Sequence, residues 1–255
     1  MGRLFIFSSD KYNDMLLEVC ANSLQSAMNA QRAGADRIEL CAELGAGGIT
    51  PSPGTLKLVR ERLDIPVHVL IRPRSGHFTY SESEFEVMKA DIRACGELGF
   101  QGIVSGMLLE DFSIDLERTG ALVDLAGPMH FAFHRAFDWA KDPLAALRQL
   151  EDLGVSTVLS SGGRATAFEG LANLELWQKR TGMDLMAGGG VQAEQLPRFR
   201  EIGLRAVHSS GTIFSNSLDL SGKLPMNSPA NRVEDRVGTS DLERVRELAR
   251  AVKLS

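Results

Sequence analysis

The chain has 255 residues and a formal net charge of −5 at pH 7, from 28 Lys and Arg against 33 Asp and Glu. Hydrophobic residues make up 44% and charged residues 24%, which is typical of globular proteins and excludes a mainly disordered chain. The acidic balance argues against a nucleic-acid surface, and no apolar run approaches the roughly 20 residues of a membrane span.

The N-terminal apolar run and the cysteines bear on the cellular compartment. Leu4–Phe7 is shorter than the apolar core of a signal peptide, which has about 7–15 residues. The 3 cysteines, an odd number, do not indicate a disulfide framework. The sequence therefore predicts a cytoplasmic protein that binds neither nucleic acid nor membrane.

Short apolar runs alternate with helical patterns from about residue 15 to the C-terminus. The predicted strands span 15–20, 37–41, 67–72, 102–105, 130–134, 157–160, 184–187 and 206–209. The predicted helices span 23–33, 54–63, 81–98, 115–125, 143–153, 165–179, 193–202 and 241–252. Ser23 and Asp142 are the expected N-caps of the first and fifth helices, and Ser81 opens a capping-box pattern on the third.

This alternation of strand and helix predicts a parallel sheet. Eight strand–helix units match an α/β fold of the single-domain (β/α)8 TIM barrel type. A doubly wound open sheet is the weaker alternative, because no glycine-rich dinucleotide loop follows the first strand and no nucleotide cofactor is indicated. Residues 1–14 are predicted as an N-terminal extension, residues 15–255 as the barrel domain, and about 211–240 as a long irregular segment within it.

Side chains alternate between the two faces of a strand, which places several polar residues inside the predicted barrel. They point toward the carboxyl ends of the strands, where barrel sites are built. The inward polar set comprises Glu18, Cys20, Glu39, Cys41, Arg72 and His134. A structural ion-pair network is the alternative, but such networks contribute little stability, so a functional role is favoured. His208 also lies at a strand end, whereas His68 and His130 lie lower and are interpreted as core histidines.

Two cysteines end neighbouring predicted strands in the same local pattern. Glu18 precedes Cys20 by two residues, and Glu39 precedes Cys41 in the same way. Neighbouring strands lie about 4.8 Å apart, so two thiolates could chelate one soft ion such as Cu(I). Tetrahedral zinc is less favoured because no second ligand pair is evident, and small core residues are the remaining alternative. Cys95 is interpreted as structural.

Glycine and serine cluster at the ends of the last three predicted strands. Ser160–Gly163, Ala187–Val191 and His208–Thr212 supply backbone N–H groups and hydroxyls, and barrels commonly bind phosphate after strands seven and eight. The predicted anion-binding residues are Arg74, Ser160, Gly162, Gly188, Gly189, Gly190, His208, Ser209 and Ser210. The alternative is that the glycines only permit tight turns.

Seven segments, in order along the chain, resemble the CutC family of copper homeostasis proteins. They are 17–20, 34–41, 47–52, 71–76, 133–138, 188–191 and 207–210, within about residues 15–212. The resemblance implies a cytoplasmic (β/α)8 barrel that binds copper and forms a homo-oligomer, a dimer or tetramer. It places the family's copper-associated cysteines at Cys20 and Cys41. Ser75 departs from the glycine that is usual in the family's Arg-Pro-Arg-Gly-Gly turn.

The resemblance makes Cu(I) binding the leading prediction, and an enzyme that acts on a small anionic or phosphorylated metabolite is the alternative. In that enzyme Glu18 or Glu39 would be the general base and His134 the acid, while Arg72 and Arg74 would hold substrate charge. Copper binding and catalysis do not exclude one another. A non-catalytic structural barrel is the third interpretation, and the polar mouth argues against it.

Overall fold

Eight parallel strands close into a barrel in the computed structural model, and each strand pairs with its two neighbours in chain order. The (β/α)8 barrel that the alternation predicts is therefore confirmed. The structure describes residues 15–215, 218–224, 226 and 236–253. The predicted extension at 1–14 lies outside the described residues, as does most of 216–235.

The barrel strands are short, and the first and last close the ring. They are β1 (Leu16–Ala21), β2 (Arg37–Leu40), β3 (Val67–Leu70), β4 (Gly102–Ser105), β5 (His130–Phe133), β6 (Thr157–Ser160), β7 (Asp184–Gly188) and β8 (Ala206–Ser209). The register between β1 and β8 sets Glu18 opposite His208. Closure thus brings two polar residues from opposite ends of the barrel sequence side by side.

Helices follow the strands on the outside of the barrel. They are α1 (Leu24–Ala33), α2 (Pro53–Arg62), α3 (Glu82–Leu98), α4 (Leu116–Ala126), α5 (Pro143–Asp152), α6 (Leu171–Gln178), α7 (Leu196–Glu201) and α8 (Leu242–Lys253). The predicted caps are confirmed: Ser23 and Asp142 each accept a backbone N–H bond at the helix start, and Ser81 with Glu84 forms a capping box. In the described part of the chain, no helix is long and apolar enough to cross a membrane.

The main core lies between the strands and the helices. The side chains of Leu17, Val19, Ile38 and Leu40 are fully buried there, in one cluster with helix residues such as Ala27. These are the residues that strand parity assigns to the helix-covered face, so that prediction is confirmed. Burying each large aliphatic side chain contributes about 1.5–3 kcal/mol, and this layer is the principal source of stability.

Two small apolar clusters of described residues lie inside the barrel. One contains Leu159, Met186 and Ala206, with Leu16 packed against it. The other contains Cys20, Cys41, Leu70, Val104 and Ala132. Along β1, Glu18 faces inward two residues after Leu16 and two residues before Cys20. A polar layer therefore lies between the two apolar clusters.

The sixth helix begins later than the sequence pattern predicts. The prediction was a helix over 165–179, whereas α6 spans Leu171–Gln178. Before it, the Ala167 N–H donates to Gly189 O in the loop after β7 at 2.9 Å. A Cβ on Gly170 would lie 1.9 Å from Ser161 O, so the chain here packs directly on the loop after β6. The helix prediction is wrong for residues 165–170 because these residues pack on the two neighbouring loops.

The segment predicted as irregular at about 211–240 has regular structure at both ends, so the prediction is wrong there. Strands β9 (Thr212–Ser215) and β10 (Val237–Ser240) form a two-stranded antiparallel sheet. This sheet is fastened to α1, because the Ser240 N–H donates to Ser26 Oγ at 3.1 Å and Asn29 Nδ2 donates to Ser240 O at 3.0 Å. It lies between β8 and α8 in the chain.

Candidate metal centre and barrel mouth

A buried carboxylate, Glu18, is central to the polar layer inside the barrel. Arg37 Nε donates to its Oε2 at 2.5 Å, and its Oε1 lies 2.8 Å from His208 Nδ1. His68 Nδ1 lies 3.9 Å from Oε2. Burial raises the pKa of Glu18, but Arg37 and His208 outweigh that effect and hold the pKa well below its usual range. Glu18 is therefore an ionised anchor for the surrounding side chains and a weak base.

Glu39 extends this network on β2. Its Oε2 lies 3.3 Å from His208 Nδ1. Burial raises the pKa of Glu39 to about 7, although the attraction of His208 opposes the change. Burial lowers the pKa of His208, but Glu39 and Glu18 more than compensate, so the pKa is raised overall. Glu39 and His208 therefore each favour the charged form of the other.

Cys20 and Cys41 bring two thiols together at the carboxyl ends of β1 and β2. Their Sγ atoms lie 3.5 Å apart. The backbone N–H of Cys41 donates to Ala21 O at 2.9 Å, which continues the pairing of the two chains past the end of β2. A Cβ on Gly48 would lie 3.3 Å from Cys41 Cβ and 2.7 Å from Leu70 Cδ2. The loop after β2 thus packs closely over Cys41, and a side chain at position 48 would not fit.

The thiol pair lies next to the side chains of Glu39 and His208. One ligand atom each from Cys20, Glu39 and His208 lies within 4.8 Å of the others. The hydrogen bond with Cys41, burial and the nearby Glu39 together raise the pKa of the Cys20 thiol well above its ordinary value. Cys20 is therefore a protonated thiol that must lose its proton to bind a metal. Two soft sulfurs, a borderline imidazole and a harder carboxylate form a mixed donor set in which the sulfurs favour Cu(I) or zinc.

The two arginines after β3 are engaged by the protein's own loops. Arg72 Nη1 donates to Ala46 O at 3.0 Å and to Gly48 O at 2.7 Å, and Nη2 donates to Gly76 O at 2.8 Å. Arg74 Nε donates to Glu84 Oε1 at 2.5 Å. Arg72 therefore ties the loops after β2 and β3 together. Arg74 lies on the α3 side of the barrel, whereas the predicted glycine loops follow β6, β7 and β8.

His134 ends β5 and is 6% exposed. The Ala136 N–H donates to its Nδ1 at 3.2 Å, so Nε2 carries the ring proton. Nε2 is buried and has no hydrogen-bond partner among the described residues. Burial, with a smaller effect from Arg72, lowers the pKa of His134 to about 3. A Cβ on Gly106 would lie 2.6 Å from Nδ1, so the ring fits because β4 is followed by glycine. His134 is a neutral hydrogen-bond donor at neutral pH.

Asp138, which the sequence analysis missed, fills the loop after β6. Ser160 Oγ donates to its Oδ1 at 2.5 Å, and the Gly163 N–H donates to the same atom at 3.1 Å. Arg135 Nε donates to Oδ2 at 2.8 Å. The Gly162 N–H donates to Ser160 Oγ at 2.9 Å. Ser160, predicted to bind an external anion, therefore binds a carboxylate of the protein itself, and the Gly162 N–H is taken up by Ser160.

A cleft of about 410 Å³ opens between the loops after β7 and β8 and the start of α8. Its lining brings together the predicted Gly190, Ser209 and Ser210 with Gly211, Thr212 and Arg244. The other predicted anion-binding residues of these loops lie elsewhere. His208 is bonded to Glu18 inside the barrel, the Gly189 carbonyl accepts from Ala167, and a Cβ on Gly188 would lie 2.5 Å from Leu159 Cδ1.

Comparison with known sequences decides the family. The model of the CutC family matches residues 15–213. A family protein CutC from Edwardsiella ictaluri is 54% identical over 197 residues, which cover 77% of this chain and 78% of the relative. Another from Salmonella schwarzengrund is 49% identical over 199 residues, covering 78% and 80%. The chain belongs to the CutC family.

Solved structures agree with this assignment. A CutC from Streptococcus agalactiae, described as a copper homeostasis protein, has a TM-score of 0.73 and 32% identity, covering 77% of this chain and 98% of that one. A thiamine phosphate pyrophosphorylase from Pyrococcus furiosus has a TM-score of 0.58 and 14% identity, covering 95% and 98%. At that identity the likeness shows the fold alone. The CutC relative thus supports the same (β/α)8 architecture.

Three polar residues that shape these sites were not singled out from the sequence. Arg37 pairs with Glu18. The signal in the sequence was its position two residues before Glu39, which puts both side chains on the same face of β2. Asp138 lies within the segment 133–138 that resembles CutC proteins, which was its signal. Arg244 lies beyond the CutC match at 15–213, and nothing in the sequence distinguishes it from the other arginines of α8.

Proposed function

We propose that this CutC protein binds one Cu(I) ion through Cys20 and Cys41 and acts in copper homeostasis in the cytoplasm. The observation that carries the proposal is the 3.5 Å separation of the two Sγ atoms. Metal–sulfur distances in thiolate sites are about 2.3 Å, so two sulfurs at this separation fit one shared ion. Soft thiolate ligands favour Cu(I) over hard cations.

The surroundings of the thiols support the same proposal. Leu70, Val104 and Ala132 form an apolar cluster with the two cysteines, which limits the access of water and competing ligands. His208 lies on the other side, next to Cys20, and offers a further nitrogen donor. Glu18 orients this imidazole through Nδ1, as partners of metal-ligating histidines commonly do.

The comparisons add independent support for a role in copper homeostasis. The Streptococcus agalactiae CutC, described as a copper homeostasis protein, is 32% identical to this chain. Cys20, Cys41 and Cys95 are free thiols, as expected for a reducing cytoplasm. The proposal includes assembly into a homo-oligomer.

The test is an anaerobic Cu(I) titration against a chromophoric competitor such as bicinchoninate. We expect one tight equivalent in the wild type and its loss in the double variant Cys20→Ser, Cys41→Ser. Cys95→Ser is the matched control, because Cys95 is also a buried free thiol but lies in α3 on the outer side of the barrel. Equal Cu(I) affinity in the wild type and the double variant would show that the two thiols are not the ligands.

A further inference from the structure

We propose that the cleft beside β7, β8 and α8 binds a small phosphate monoester that carries hydroxyl groups. Its volume of about 410 Å³ is within the range of small-molecule pockets, about 300–1,000 Å³. It is lined by loop residues and the first turns of α8, whereas the thiol pair lies inside the barrel. This proposal goes beyond copper binding and does not depend on it.

Three residues that line this cleft have backbone N–H groups without a partner in the described part of the chain. No group within residues 15–215, 218–224, 226 and 236–253 accepts a hydrogen bond from the backbone N–H of Gly190, Ser210 or Gly211. Gly190 and Gly211 have φ values of 69° and 53°, which side-chain-bearing residues rarely adopt. Backbone N–H groups in such turns form concave binding sites for anions.

Two hydroxyls add to these donors. Thr212 Oγ1 is buried, and none of the described residues forms a hydrogen bond with it. Ser210 Oγ accepts a hydrogen bond from the Thr212 N–H at 3.3 Å, which leaves the Ser210 hydroxyl proton free to be donated. A buried hydroxyl without a partner costs free energy, and a phosphate oxygen in the cleft would remove that cost.

Arg244 supplies the positive charge. Its Nη1 donates to Thr212 O at 3.1 Å, which holds the guanidinium beside the loop after β8. The other guanidinium N–H groups have no partner among the residues that the structure describes. The helix end itself is already capped, because the Arg244 backbone N–H donates to Asp241 Oδ1 at 2.9 Å. The charge that faces a ligand is therefore the side chain of Arg244.

Two carboxylates restrict the class of ligand. Glu194 and Glu247 line the same cleft, and neither forms an ion pair within the described ranges. Their charge disfavours diphosphates and triphosphates, which would place more negative charge beside them. Carboxylates accept hydrogen bonds from hydroxyl groups. The combination suits a single phosphate group on a polyhydroxy compound.

The test is a calorimetric titration of the metal-free full-length protein with glycerol 3-phosphate at low salt. We expect saturable binding that weakens about tenfold or more in Arg244→Ala, because a charge-assisted hydrogen bond is lost. The Asp241 cap bonds the backbone of residue 244 and is retained. Arg246→Ala is the matched control, since Arg246 lies in α8, pairs with Glu243 and does not line the cleft.

Further measurements separate this proposal from simpler explanations. Glu247→Gln should strengthen the binding of pyrophosphate, which a purely structural role of Glu247 would not do. No saturable binding, equal loss in both arginine variants, or binding of inorganic phosphate as tight as that of glycerol 3-phosphate would overturn the proposal. The variant Cys20→Ser, Cys41→Ser should bind glycerol 3-phosphate as the wild type does, so this proposal and the copper proposal can fail separately.

Discussion

The thiol pair and the β7–β8 cleft are two polar sites of one barrel with opposite construction. Cys20 and Cys41 contact each other inside an apolar cluster, and strand parity alone places them there. The cleft donors are mostly backbone N–H groups of loops, together with Thr212 Oγ1 and Arg244. The comparison teaches that strand pairing brings the two thiol side chains into contact, whereas the loops after β7 and β8 keep backbone donors that no described residue pairs with.

The largest expected effect comes from breaking the ion pair inside the barrel. Glu18→Gln leaves the Arg37 guanidinium buried without a carboxylate, and we expect a loss of about 3–5 kcal/mol in the free energy of unfolding. Urea denaturation measures it. The exposed pair of Arg198 and Glu201 is the control, because Glu201→Gln should cost less than about 1 kcal/mol. Similar losses in both variants would contradict the difference between interior and surface pairs.

The second largest effect is expected in the loop after β6, where the Asp138 carboxylate accepts the hydrogen bonds of the loop. Asp138→Asn removes the charge that Ser160 Oγ and the Gly163 N–H bind, and we expect a loss of about 2–3 kcal/mol in the free energy of unfolding. Thermal and urea denaturation measure it. Asp111→Asn is the control, because Asp111 is exposed and pairs with Lys141 at the surface. If Asp138→Asn proves as stable as Asp111→Asn, the carboxylate does not hold the loop.

Acid should destabilise the barrel through the buried His134. Burial lowers the pKa of His134 to about 3, whereas the unfolded value is about 6.5. Between these values the unfolded state binds a proton that the folded state does not, so stability falls as the pH falls, by about 1.4 kcal/mol per pH unit. Urea unfolding from pH 7 to 4.5 should show a shallower loss in His134→Asn than in the wild type. Equal slopes in the wild type and in His134→Asn would show that burial of His134 is not the cause of the loss.

The smallest expected effect on stability comes from Thr212 in the β7–β8 cleft, and this variant tests the proposed role of the cleft directly. Thr212→Val replaces an unpartnered hydroxyl, so the free energy of unfolding should stay the same or rise by up to about 1 kcal/mol. The same change should weaken the binding of glycerol 3-phosphate. Thr119→Val is the matched control, because Thr119 Oγ1 is also buried without a partner among the residues that the structure describes, but it lies in α4. An equal change of affinity in both variants would show that Thr212 has no special role.

Most of the barrel interior could be predicted from the sequence, because a period of two fixes which residues face inward once the strands are known. Glu18, Glu39, Cys20 and Cys41 were found in this way. The placement of loop residues could not be predicted. Asp138 enters the loop after β6 from the loop after β5, and such a contact leaves no periodic signal.

The same limit explains the errors in secondary structure. The helix predicted from residue 165 begins at Leu171, because Ala167 and Gly170 pack on neighbouring loops. Strands β9 and β10 are short, and β10 is hydrogen-bonded to α1 across more than two hundred positions of the chain. Local pattern carries no information about contacts over such a separation.

The closure of β1 on β8 also has a consequence for the order of biosynthesis. Glu18 and His208 are 190 positions apart in the chain, yet their side chains are hydrogen-bonded. Both thiols leave the ribosome early, whereas the imidazole follows only when the barrel is nearly complete. Distant contacts also form late because their loop closure costs entropy. The nascent chain therefore carries the two thiols without His208. The imidazole joins them only when β8 pairs with β1 and closes the barrel.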